Sequence, residues 1–189
     1  MNADCLFIHA PKTGGRSVLD ACGVPFMIRH KTIQDYISEI GLSSVESKFK
    51  FSTVRNPWDR AYSWWRFFVE RKGSSRQHAA DFDGWVVHRI ENENRKLSLG
   101  SKRPLDQMSY YKDQRGRVLI DKFLRFESLS DDFSSISSRV GVIKPIGNIG
   151  SSHRMEKPLH YRVAFKTQKA IDLVGRLNRD LIDQFGYTY

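Results

Sequence analysis

The chain has 189 residues, 40% of them apolar, enough for a core that holds without disulfide staples. With 31 Lys and Arg against 21 Asp and Glu the net charge is +10, which favours polyanionic partners: phosphorylated cofactors, nucleic acid or acidic polysaccharide. No apolar run approaches the roughly 20 residues that span a bilayer, the first apolar segment is too short for a signal-peptide core, and the two cysteines have no metal-ligand spacing, so the expectation is a reduced, cytoplasmic protein with no membrane span and no metal.

Cys5-Leu6-Phe7-Ile8-His9-Ala10 reads as a buried strand and Pro11–Gly15 as a turn. A helix over Arg16–Cys22 follows, ended by Gly23, and Val24–Ile28 reads as a second strand. Cys5 and Cys22 are expected to be ordinary buried thiols. Thr32 and Asp35 have the spacing of a capping box for a helix ending near Gly41. Lys48–Val54 alternates as a third strand. Asn56 and Pro57 then open a helix whose apolar stripe is Trp58, Ala61, Tyr62, Trp65, Phe68 and Val69, ended by Gly73. Its tryptophans are expected in packing.

Asp81 caps the next helix, with Phe82, Trp85, Val86 and Ile90 inward, and Glu91–Arg103 is a polar loop. Arg117–Phe126 reads as a fourth strand. Ser130 caps a helix carrying Phe133, Ile136 and Val140 and stopped by Gly141. Lys144–His160 lacks periodicity and reads as a loop. Thr167–Phe185 reads as one long amphipathic helix stopped by Gly186. Strands alternating with helices predict an α/β fold: one domain over residues 1–189, a P-loop-type parallel sheet with helices on both faces. Ligands of such sheets bind beyond the carboxyl ends of the strands, so the loops after Ala10, Ile28 and Val54 are expected to border one crevice.

Two segments carry chemistry. In Pro11-Lys12-Thr13-Gly14-Gly15-Arg16-Ser17 the glycines let several N–H groups turn toward one anion. The following helix start adds a favourable dipole, Lys12 a positive charge, and Thr13 and Ser17 hydroxyl donors. The lysine precedes the glycines, unlike the common nucleotide P-loop. In Val54-Arg55-Asn56-Pro57-Trp58-Asp59-Arg60-Ala61-Tyr62-Ser63, an arginine fork at a strand end and a hydroxyl two helical turns past the cap suit a second phosphate group. Each segment alone also reads as an ordinary turn or surface helix.

Together the two segments resemble the sulfotransferase superfamily, closest to its carbohydrate-modifying branch. The later segments Asp121–Leu129, Asn148–Arg154 and Asp180–Tyr187 are similar too. The resemblance implies that Pro11, Lys12, Thr13, Gly14, Gly15, Arg16 and Ser17 hold the 5′-phosphosulfate of 3′-phosphoadenosine 5′-phosphosulfate. It implies that Arg55 and Ser63 hold the 3′-phosphate, and that the loop containing Ser152 and Arg154 folds over the nucleotide. Arg16 stands where the family has Thr, and the chain is short enough to lack the acceptor-binding insertions of larger relatives.

The expected reaction is transfer of a sulfuryl group to an acceptor hydroxyl on a carbohydrate, an acidic glycan suiting the charge, with no metal. Lys12 neutralises the leaving phosphate oxygen. His30 follows the second strand where relatives place a catalytic His or Glu, so it is the expected general base, with Arg29 and Lys31 beside it disfavouring its charged form. His9 and His153 are the alternatives. A small alcohol, a phenol or a peptide tyrosine stays open as acceptor. A P-loop-type kinase or other nucleotide-binding enzyme stays open as the rival function. A nucleic-acid module rests on charge alone and is not expected.

Overall fold

The computed structural model describes residues 1–25, 30–72, 81–92, 105–147 and 160–189, which mix helices with one three-stranded parallel sheet. Strand β1 (Cys5–Ile8) leads into helix α1 (Gly15–Ala21), whose N-cap is Gly14 at φ +85°. Val24 and Pro25 belong to no strand, and the rest of the expected second strand lies outside the described residues. Helix α2 (Ile33–Ile40) has the expected capping box, with Thr32 Oγ1 accepting from the Asp35 amide and the Asp35 carboxylate from the Thr32 amide. Gly41 at φ +82° ends it and opens a short helix, α3 (Leu42–Glu46), that sequence periodicity did not reveal.

Strand β2 (Phe49–Val54) precedes α4 (Pro57–Lys72), where Asn56 Oδ1 accepts from the Trp58 and Asp59 amides as a cap should. Gly73, the expected stop, lies outside the described residues. Asp81 caps α5 (Phe82–Glu91) through the Gly84 amide. The expected fourth strand is shorter than its sequence pattern. The Asp113 carboxylate accepts from the Arg115 and Arg117 amides and from Arg117 Nε, which curls 113–117 into a turn. Only β3 (Lys122–Arg125) pairs with the sheet.

A 3₁₀ turn (Phe126–Ser128) joins β3 to α6 (Leu129–Ser134). The helix thus starts before Ser130, which lies inside it and accepts from Ser134 through its carbonyl. The chain restarts as α7 (Ser137–Val140), closed by Gly141 at φ +73°. After α8 (Tyr161–Ala164), the single long helix expected over Thr167–Phe185 is two: α9 (Gln168–Leu177), capped by Thr167, and α10 (Arg179–Phe185). Asn178 breaks it. Its φ and ψ leave the helical range, and its buried amide turns inward, donating to the Val174 carbonyl and accepting from the Gln107 amide.

The chain divides into two compact units, Met1–Arg55 with Met108–Ser151, and Asn56–Gln107 with Ser152–Tyr189. In the first, the sheet order is β1-β2-β3, all parallel, with Phe7 beside Phe51 and Thr53 beside Leu124. Cys5, Phe7, Phe51 and Leu124 bury against Val18, Leu19, Ala21 and Cys22 on one side of the chain and Phe133, Ile136 and Val140 further on. Cys5 and Cys22 are buried free thiols, and burial pushes both above the usual range.

The second unit is helical. Trp58, Ala61, Tyr62 and Trp64 of α4 pack with Phe82, Trp85, Val86, Phe165, Ala170 and Val174. Trp58 and Trp64 are core residues, and Trp58 Nε1 donates to the Ile171 carbonyl. Arg60, fully buried, donates to the Leu105 carbonyl. Among the described residues no helix is long and apolar enough to cross a membrane.

Candidate functional site

The site belongs to the first unit and starts at the carboxyl end of β1. There Lys12 stands at φ +66°, the single non-glycine residue with positive φ among those described. A residue with a Cβ in that region costs about 1–2 kcal/mol, so its surroundings must impose it. Arg55 does so from the end of β2, donating from Nη1 to the Lys12 carbonyl at 3.0 Å. Thr13 does so from inside, donating from Oγ1 to the Ala10 carbonyl at 2.8 Å. Thr13 Oγ1 also lies 2.6 Å from Thr53 Oγ1, and since the single Thr13 proton is already directed at Ala10, Thr53 is the donor of that pair. Tyr111 completes the buried set by donating to the Thr53 carbonyl at 2.9 Å.

The Thr13 hydroxyl, expected to face an anion, therefore serves the loop itself. What the loop offers an anion is backbone. Lys12 and Gly14 have positive φ with Thr13 between them on the ordinary side, the alternation from which anion-binding nests are made.

The two glycines have different reasons to be glycine. Gly14 needs its φ of +85°, and a Cβ there would sit 2.8 Å from Leu129 Cδ2 and 2.9 Å from Phe126 Cδ2. Gly15 is helical, but a Cβ there would fall 2.8 Å from His9 Cγ and nearer still to Cδ2 and Nε2. The His9 ring is buried, 5% exposed, stacked on Phe7 at 5.5 Å and tilted against His30 at 4.2 Å.

His30 is half-buried, and its Nδ1 lies 3.0 Å from the His9 carbonyl. A carbonyl only accepts, so Nδ1 carries the proton and Nε2 is the basic nitrogen of the neutral ring. Lys31, whose charge was expected to press on His30, pairs with Glu39 at 2.5 Å and lies over the Tyr36 ring. Burial raises the Tyr36 hydroxyl pKa.

Phe126, the first residue after β3, closes the circle. The Arg55 guanidinium carbon sits 4.0 Å from the centre of its ring, and the same ring borders Gly14. Pro11 and Ser17 are buried beside the loop and Arg16 is exposed. Ser63 lies on α4 in the second unit and is half-buried. Ser152, His153 and Arg154 lie outside the described residues. Among the described residues no cluster of three or more His, Cys, Asp or Glu has the arrangement of a metal site.

Sequence reasoning missed Thr53 and Tyr111, and took Phe126 only as part of the similar segment Asp121–Leu129, with no role. A signal existed for the first: Ser52 and Thr53 are hydroxyls in a fully buried strand segment, and buried hydroxyls find partners. Phe126 and Tyr111 look like any core aromatic until the fold places them. No protein-family model matches the chain, and neither a curated protein nor a solved structure matches it.

Proposed function

We propose that the protein is a sulfotransferase with a P-loop-type sheet, moving a sulfuryl group from 3′-phosphoadenosine 5′-phosphosulfate to an acceptor hydroxyl, on a carbohydrate in the first instance. The observation that carries the proposal is the meeting of the two phosphate-type motifs. Lys12 and Arg55, 43 positions apart, share a hydrogen bond at the carboxyl ends of adjacent strands. A strained lysine held by an arginine is the kind of preorganised cationic corner that anionic transfer chemistry needs.

The donor supplies an activated sulfuryl group. The acceptor oxygen forms its bond to sulfur as the bond from sulfur to the phosphate oxygen breaks. In this reading Lys12 balances the charge that builds on that phosphate oxygen, and the loop amides around Gly14 orient the phosphate. His30 Nε2 receives the acceptor proton, with Nδ1–H anchored on the His9 carbonyl so that the ring presents one nitrogen in one direction. Arg55 holds the 3′-phosphate as a planar fork. The net charge of +10 suits an acidic glycan as acceptor.

Two measurements test the reading. The melting temperature is followed with 3′-phosphoadenosine 5′-phosphate and with ATP, in chelator. Stabilisation by the first and much less by the second is expected. Labelled sulfate transfer is then assayed against glycans, phenols, small alcohols and tyrosine peptides. Equal stabilisation by both nucleotides, or magnesium-dependent phosphoryl transfer from ATP, refutes the proposal.

A further inference from the structure

The geometry points to Phe126 as the positioning residue that gives Arg55 its selectivity for a 3′-phosphorylated nucleotide. The inference rests on the sulfotransferase reading and extends it to a residue outside both phosphate motifs.

Arg55 follows the last residue of β2, and an arginine side chain there has many rotamers to lose before it binds anything. Two contacts remove that freedom. Nη1 is directed at the Lys12 carbonyl at 3.0 Å, and the guanidinium carbon rests 4.0 Å from the Phe126 ring centre. A planar group with one N–H directed at an oxygen and its carbon against a ring has its direction set. The ring is itself held, because it borders Gly14, where even a methyl group would come within 2.9 Å of Phe126 Cδ2.

Lys12, Gly14, Phe126 and Arg55 thus form a closed ring of contacts: loop to aromatic, aromatic to guanidinium, guanidinium back to loop. Phe126 also stands at the carboxyl end of β3, beside the strand end that carries Arg55 and on the side where ligands of parallel sheets bind. A preorganised guanidinium binds a phosphate more tightly than a floppy one because the ordering is done before the ligand arrives. The cation–π contact adds to this by covering one face of the guanidinium. Any phosphate group that Arg55 recognises should therefore owe part of its affinity to a ring it never touches.

The test compares affinities of wild type, Phe126→Leu and Phe126→Tyr for 3′-phosphoadenosine 5′-phosphate and adenosine 5′-phosphate by calorimetry. Circular dichroism reports the fold. Phe126→Met, apolar and unbranched, replaces the leucine variant if that one is unfolded. Wild type is expected to prefer the 3′-phosphorylated nucleotide. Phe126→Leu should lose roughly two- to fivefold of that preference, the size of one cation–π contact at a partly exposed site, read as the ratio of the two affinities because the ring also borders the Gly14 loop. Phe126→Tyr, which keeps the ring, should keep the preference. A ring that matters only for folding weakens both nucleotides alike. That result, or an unchanged preference in Phe126→Leu, overturns the inference and leaves the sulfotransferase reading standing. A wild type with no preference for the 3′-phosphate overturns both.

Discussion

Gly15→Ala places a methyl group where the His9 ring already is. Its Cβ would lie 2.8 Å from His9 Cγ and closer to Cδ2 and Nε2, against a carbon–carbon optimum of about 3.5–4.0 Å. The ring has nowhere easy to go: it is 5% exposed, stacked on Phe7 and tilted against His30. Overpacking of this kind costs about 1–3 kcal/mol. Alanine's helix preference over glycine works the other way by at most ~1 kcal/mol. With the methyl this close to a packed ring the overpacking cost falls in the upper part of that range, about 2–3 kcal/mol, so the expected net loss is about 1–2 kcal/mol, or roughly 2–8 °C in melting temperature for a chain of this size.

A double-mutant cycle isolates the cause. In a His9→Ala background the ring atoms nearest the added methyl are gone, so Gly15→Ala should turn neutral or stabilising there. The assay is chemical and thermal unfolding of the four proteins. On the proposed function turnover should fall with stability, because the displaced His9 ring lies 4.2 Å from the His30 ring. The same destabilisation in both backgrounds would refute the reasoning.

Other predictions concern the same loop and the core. Lys12→Gly should be more stable than Lys12→Ala by about 1 kcal/mol, since glycine accepts φ +66° and alanine does not. On the proposed function both should lose about 10²–10³ in kcat, and an equally stable pair would argue against strain at position 12. His30→Ala should keep nucleotide binding while turnover falls by about 10²–10⁴. Intact turnover would remove His30 from the mechanism. Cys22 ionises later in the folded chain than in the unfolded one, because burial opposes the thiolate. Its contribution to stability is thus complete below the unfolded thiol pKa and is lost as pH rises through the folded one. The fall in melting temperature above about pH 9 should be shallower in Cys22→Ala. An identical slope in the variant would show that other groups carry the alkaline limb.

Local signals along the chain determined the elements that are set by local chemistry. The Thr32–Asp35 capping box, the Asn56-Pro57 helix start, the Asp81 cap and the glycine stops at 141 and 186 all stand where the residue types require them, since a cap is satisfied within three or four residues of itself. The turn between β1 and α1 was legible for the same reason: glycine spacing is local information. Distant partners decided the rest. An amphipathic stripe runs through Asn178 without a break, and only its bonds with Gln107 and Val174 split the helix there. The strand pattern upstream of β3 gave way to the turn that Asp113 makes with Arg117. Thr13 carries a hydroxyl that suits an anion by type. Yet the fold brings Ala10 and Thr53 to it first, because a buried hydroxyl takes the nearest partners available. Phe126 lies in neither phosphate-type motif, and the resemblance of Asp121–Leu129 assigns it no partner. Its place against Arg55 and Gly14 exists only because parallel pairing sets the ends of β2 and β3 side by side, and pairing across about 70 residues of chain is written in no local window.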